Sequence, residues 1–271
     1  MSLESPRRRR RLLPSRGTVG VVAGPLVLSV LLTAAWQAGV WNRLFGLETF
    51  TLPVPSDIVT AIRANAGPFW TDLGITMAPA ALGYVVGNGI GLVLGTVLSV
   101  LPRRLAGRLS TVLGAAQATP LLAVAPLISL FLGSGLAFRT TVIALVCFPS
   151  MVVYAYKGLI SVEDRSLNLL ASYDASPFQV FRHLRFPTSL PFVFTSLRYS
   201  TVLALIGAMI CEVLKGRIGL GYHIIDSLAS FEPAVAWGAT AILSALGILW
   251  YSLLVLVERL AVPWAAKRRQ S

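Results

Sequence analysis

Charge is scarce in this 271-residue sequence, where Asp, Glu, Lys and Arg make up 13% of residues. Soluble globular domains carry about 25%, and a chain with half that share cannot cover its surface against water. Acidic residues are the fewest, 11 against 23 basic ones, for a net charge of +12. Histidine occurs only at His183 and His223. These are too isolated for a metal centre or a catalytic base, and the scattered acids form no enzyme constellation. Both read as surface residues. The two cysteines, Cys147 and Cys211, sit in apolar stretches. They exclude a disulfide framework and read as buried thiols acting as small hydrophobes. No G-x-x-x-x-G-K-[ST] segment is present, which excludes a phosphate-binding loop of that type. Basic residues are not interleaved with aromatics, which argues against nucleic acid as a partner.

What is abundant is apolar sequence: 55% of residues are hydrophobic and the mean hydropathy is +0.75. A membrane-spanning helix needs about 20 mostly apolar residues, and the chain offers about six such segments. The first runs from about Val19 to Trp41 behind the block Arg7–Arg11. A basic start before an apolar run also describes a signal peptide. The length of the run and the large residues Trp36 and Gln37 at its end favour an uncleaved anchor. Residues 42–70 read as an external loop with one short helix. The remaining segments cover about Leu73–Leu101, Val112–Leu132 (broken by Pro120 and Pro126), Phe138–Tyr156, Phe192–Leu214 and Ala234–Leu260. The expected fold is an all-α membrane protein lying in the lipid bilayer. Residues 1–18 and 263–271 form basic tails, and a spanning domain covers 19–262.

Orientation follows from the basic residues. With six spans both termini share a side. Arg43, Arg63, Arg139, Lys215 and Arg217 fall on the opposite side, and the other 18 fall on the side of the termini. Cytoplasmic loops are the ones enriched in Lys and Arg, so both termini and the 157–191 loop are expected to be cytoplasmic.

Gly83, Gly87, Gly91 and Gly95 recur at a spacing of four in the second span. They share one helix face, where another backbone can approach closely, either within the subunit or across a dimer. Ionisable residues in spans are functional candidates because they are costly in lipid. Arg198 and Glu212 come nearest to that condition, at positions where snorkelling also explains them. Gln117 and Thr119, ahead of Pro120, and Glu212 are the candidates for a translocation path.

The 157–191 loop is too polar for lipid. Phe178, Phe181 and Leu184 share one side of a short helix that Ser176 caps and Pro177 starts, with Pro187 and Pro191 as its stop. Such a helix either lies on headgroups or docks into a partner. The run Leu170-Ala-Ser-Tyr-Asp174-Ala175-Ser176-Pro-Phe178-Gln-Val-Phe181-Arg182-His-Leu184-Arg-Phe-Pro187 resembles the "EAA" loop of bacterial ABC-importer permeases. That family's pattern is E-A-A, three residues, G, nine residues, I-x-L-P. Leu52–Asp57, Thr119–Leu127, and Glu212 with Gly219-Leu-Gly-Tyr222 resemble other segments of the nitrate/sulfonate/taurine-type permeases, in the same order. The sequence departs from the loop pattern at Asn168, Leu169 and Leu170, which replace E-A-A, and at Asp174, which replaces the glycine. Glycine permits a left-handed turn there, and Asp is among the few other residues that visit that conformation, so the turn is expected to survive.

The resemblance implies a type I ABC-importer permease in the bacterial plasma membrane, paired as a homodimer. It takes solute from an external binding protein and couples to cytoplasmic ABC ATPase subunits through the 172–187 helix. Asp174, Ala175, Ser176, Phe178, Phe181, Arg182, Leu184 and Pro187 form that coupling segment. The resemblance further implies a small solute: a sulfonate-, taurine- or nitrate-like anion, or a vitamin or vitamin precursor. No catalytic residue, metal or cofactor is expected in this chain. The alternative, a secondary transporter or channel working without ATP, requires charges at mid-membrane for ion coupling, and these are nearly absent.

Overall fold

The computed structural model describes residues 16–115, 117, 120–216 and 218–264, and all regular structure among them is helical. The chain begins with α1 (Arg16–Gln37), α2 (Val40–Phe45), α3 (Pro55–Ala64) and the long α4 (Ala66–Val100). It continues through α5 (Arg103–Ala115), α6 (Leu121–Leu132), α7 (Leu136–Ile160) and α8 (Asp164–Ser172). Then come α9 (Pro177–Val180), α10 (Phe186–Cys211), α11 (Leu220–Ala229) and α12 (Pro233–Ala261), with π-helical turns at Phe181–Arg185 and Glu212–Gly216.

Among the described residues, four helices are long and apolar enough to cross a membrane: α4, α7, the continuous helix Pro177–Leu214, and α12. Two further apolar helices, Gly24–Gln37 and Ala123–Leu132, are shorter. They stand where the first and third spans are expected. The third span divides because Pro120 adopts extended backbone just ahead of α6 and, having no N–H, cannot carry a helical hydrogen bond across the break. The 42–70 stretch holds two short helices where one is expected, and α4 begins within it, at Ala66.

The core is a three-helix arrangement of α4, α7 and α10, with α4 and α7 in the closest contact. The glycine stripe explains that closeness. A Cβ placed on Gly83, Gly87 or Gly91 would lie 2.6 Å from Ile143 Cβ, the Ala144 carbonyl oxygen and the Phe148 carbonyl oxygen respectively. One on Gly95 would lie 2.7 Å from Ala155 Cβ. The stripe therefore faces α7 of its own subunit. Gly158 performs the same service between α7 and α10, where a Cβ would meet Phe192 and Ser189 at 2.9–3.0 Å.

Polar side chains join the three helices inside this apolar core. Ser200 Oγ donates to Asn88 Oδ1 (3.0 Å) and lies 3.2 Å from Ser150 Oγ, Asn88 donates to the Tyr84 carbonyl, and the Tyr84 hydroxyl donates to the Leu197 carbonyl (3.1 Å). Those of these bonds that cross between helices contribute about 0.6–2 kcal/mol each where lipid offers no partners. Both cysteines are buried free thiols. Helix α12 packs against α10, α11 and α3, but only 6% of its most apolar stretch is buried, leaving its outer side free for lipid.

Arg198 has a partner within the subunit. It pairs with Glu258 of α12 at 3.0 Å, with both side chains largely buried. Pairing removes the need to reach the headgroups. Glu258 was invisible as its partner because the two lie sixty residues apart in sequence.

Candidate functional site

Two regions concentrate the candidate residues: the polar connection between α7 and α10, and the turn that follows α10.

The first begins at α8, whose C-terminus is closed by two hydrogen bonds. Ala175 N–H donates to the Leu170 carbonyl and Asp174 N–H to the Ala171 carbonyl, both at 3.1 Å. This is the six-to-one and five-to-two pattern of a Schellman stop, which wants a left-handed residue after the cap. Asp174 supplies it, with φ at 51°. The next helix then starts at once. Gln179 N–H donates to Ser176 Oγ (3.3 Å) and Ser176 N–H to Gln179 Oε1 (2.7 Å), a reciprocal capping box, with Pro177 in the first turn.

The expected stop at Pro187 and Pro191 is absent. The chain runs as one helix from Pro177 to Leu214, because the π-helical turn at Phe181–Arg185 changes the hydrogen-bond register just before Pro187. Phe186 N–H donates to the Phe181 carbonyl, five residues back, and the wider turn accommodates a proline that has no N–H to offer. The same register brings the Phe181 and Phe186 rings together, centroids 6.0 Å apart and tilted by 41°. The polar connection itself is shorter than 157–191, since α7 runs on to Ile160.

Exposure separates the candidates. Phe178 is 67% and Tyr173 77% exposed, and Leu169 is also exposed, so three large apolar side chains stand on a connection whose own helices α8 and α9 bury nothing. Phe181 and Leu184 are half-buried and Arg182 is exposed. Phe178 is thus the coupling candidate that the subunit's own packing uses least.

The second region holds the N-terminus of α11 against α4. Three consecutive backbone donors are each taken by a side chain: Gly219 N–H by Asp72 Oδ1 (3.2 Å), Leu220 N–H by Thr76 Oγ1 (3.0 Å) and Gly221 N–H by Glu212 Oε2 (2.8 Å). Orphan amides at a helix start favour carboxylate partners. Gly219 sits at φ 100°, and a Cβ there would overlap the Glu212 carboxyl group. His223 is not a free surface residue: its Nδ1 lies 2.9 Å from Asp72 Oδ2 and its ring meets Phe69 edge-on. His183 is exposed, near the Gln179 carbonyl.

Of the translocation candidates, Glu212 and Gln117 are among the described residues. Glu212 has no exposed surface, a placement that suits an anchor for α11 rather than a lining residue. Gln117 is exposed in the break between α5 and α6, and Thr119 lies outside the described residues.

Residues 87–263 match the family model described as binding-protein-dependent transport system inner membrane component. The chain belongs to that family. Among similar permeases is the riboflavin transport system permease protein RibX of Chloroflexus aurantiacus, 33% identical over 89% of both chains. The formylaminopyrimidine transport permease protein ThiX of Halalkalibacterium halodurans is 30% identical over 90% of this chain and 96% of its own. The putative aliphatic sulfonates transport permease protein SsuC of Bacillus subtilis is 27% identical over 94% of this chain and 91% of its own. Among solved structures, a chain from inward facing conformations of the MetNI methionine ABC transporter superposes with TM-score 0.61 at 17% identity. That match covers 69% of this permease and 92% of that chain, a likeness of fold. The permease is thus a multi-pass inner-membrane transport subunit whose fold resembles the type I importers. It is not itself an enzyme; ATP hydrolysis belongs to a separate subunit, and solute delivery to a binding protein.

Proposed function

We propose that this permease imports a small heterocyclic vitamin or vitamin precursor. In this reading it works as a homodimer with both termini cytoplasmic, and a cytoplasmic ATPase drives it through residues 172–187. The substrate class rests on the two relatives above that reach 30% identity, named for riboflavin and formylaminopyrimidine; the sulfonate permease stands below them at 27%.

One observation carries the coupling assignment: the Schellman stop at Asp174 and the capping box at Ser176 hold Phe178 outward on a rigid start of helix. Such preorganised apolar anchors dominate interface energies. Asp174, Ala175 and Ser176 set the turn, Phe178 enters the ATPase groove with Arg182 beside it, and Phe181, Leu184 and Pro187 seat the turn on the helix above. Gln117, in the α5–α6 break, faces the solute path, with Thr119 close to it in sequence.

The test is transport by a reconstituted complex with Phe178→Asp. A buried charge in place of an aromatic anchor removes at least about 2 kcal/mol of docking, roughly thirtyfold in association. Solute uptake and solute-stimulated ATP hydrolysis should both fall while membrane insertion stays normal. Undiminished uptake would sink the assignment. Screening the cognate binding protein against flavins, pyrimidines and alkanesulfonates tests the substrate class separately.

A further inference from the structure

A cleft of about 60 Å³ opens where the end of α4 meets the corner into α5, the end of α7, α8 and the Phe181–Arg185 turn. Its lining includes Ser99, Arg103, Tyr156, Leu167 and Arg185. Two arginines therefore border one small cleft, in the part of the sequence that carries the chain's basic excess. Neither Arg103 nor Arg185 has a salt-bridge or hydrogen-bond partner among the described residues, where the ion pairs are Arg198–Glu258 and His223–Asp72. The first turn of α5 contains no acidic residue.

We propose that this cleft binds a phosphate group, with Arg103 and Arg185 as its cationic ligands. Guanidinium forks match phosphate oxygens in pairs, and basic pockets between helices on the cytoplasmic side suit anionic headgroups. The volume admits about four to six water-sized groups at roughly 10–15 Å³ each, comparable to the five heavy atoms of a phosphate. Position gives the site a consequence. Arg103 belongs to the core end of α4–α5 and Arg185 to the turn that carries the coupling helix, so a bound phosphate bridges the two. The group comes either from a phospholipid headgroup or from free phosphate. The wall beside the arginines is apolar at Leu167 and its neighbours, as an acyl-bearing ligand needs.

The test is native mass spectrometry of the full-length permease, delipidated in detergent. One arm is titrated with phosphatidylglycerol and the other with inorganic phosphate. Wild type should retain one ligand per chain, Arg103→Gln and Arg185→Gln should weaken retention at least tenfold, and Arg104→Gln, outside the cleft lining, should match wild type. Retention confined to phosphatidylglycerol makes the ligand a lipid headgroup; retention confined to phosphate makes it the free ion. Equal retention in all four proteins, or none in wild type, overturns the proposal. Thermal unfolding matched to wild type qualifies each variant. Should Arg185→Gln not fold, Arg103→Gln, at the exposed start of α5, decides the matter alone.

Discussion

Replacing Gly91 by alanine tests the α4–α7 seam directly. The added methyl carbon would lie 2.6 Å from the Phe148 carbonyl oxygen and 2.7 Å from Met151 Cβ. Optimal carbon contacts are about 3.5–4.0 Å, so α4 must withdraw by nearly an ångström or bend. Phe148 O is backbone on a helix buried along most of its length, so it cannot swing aside as a flexible side chain would. Overpacking of this kind costs about 1–3 kcal/mol, and withdrawal also loosens the seam at Gly87 and Gly95. Against this stands alanine's intrinsic helical advantage over glycine, about 1 kcal/mol. The expected net loss is up to about 2 kcal/mol, which at this chain length lowers the melting temperature by up to roughly 8 °C. The control is Gly89→Ala in the same helix, where nothing lies within 4 Å of the new methyl; it should be neutral or slightly stabilising. The assay is thermal unfolding of the purified permease in detergent, the two variants side by side. If Gly91→Ala melts at or above Gly89→Ala, the close-approach reasoning is wrong.

Three other outcomes follow from the same geometry. Asp174→Gly should relieve the left-handed strain and stabilise the α8–α9 turn by about 0.5–1 kcal/mol, read as slower hydrogen exchange at Asp174-flanking amides, whereas Asp174→Val should speed it. Removing one partner of the Arg198–Glu258 pair should destabilise strongly, by up to about 3–5 kcal/mol if the remaining charge stays buried. The double variant Arg198→Met with Glu258→Leu should recover most of that loss, as measured by a double-mutant cycle on unfolding. Glu212→Ala should free the start of α11 and leave Gly221 N–H unsatisfied at a cost of about 1–3 kcal/mol. It should also raise the labelling rate of a cysteine placed at Ile218, and Glu212→Gln should preserve the bond and the wild-type rate.

The features legible in the sequence were those written in short periods. Four glycines at a spacing of four announced a close helix approach from the residues themselves, whereas the left-handed turn at Asp174 was announced by the resemblance to a family loop with glycine at that position. The start of the helix at Pro177 was legible from neighbouring residues, since Ser176, Pro177 and Gln179 cap it locally. Its end was not. Pro187 and Pro191 read as stops, since a proline removes a backbone donor, but a π-helical turn upstream shifts the register, and no local residue pattern marks it. The roles of Arg198 and Glu212 were also hidden. Each is fixed by a partner far along the chain or by backbone amides in the next turn, so charge and span position alone suggested snorkelling or a lining role.

The continuous helix from Pro177 to Leu214 has 38 residues and is about 57 Å long at 1.5 Å per residue. Phe178 stands at one end and Glu212, with its grip on α11, near the other. Mechanically this is a lever whose middle is clasped by α4 and α7, with the Gly158 contact at Ser189 and Phe192 as part of the clasp. A tilt of about ten degrees about that fulcrum displaces the two ends by roughly 5 Å each, in opposite directions. A push on the Phe178 end thus arrives at the Glu212 end reversed in sense and undiminished in size, without crossing a flexible loop. The π-helical turns at either end are the places where such a rod can yield.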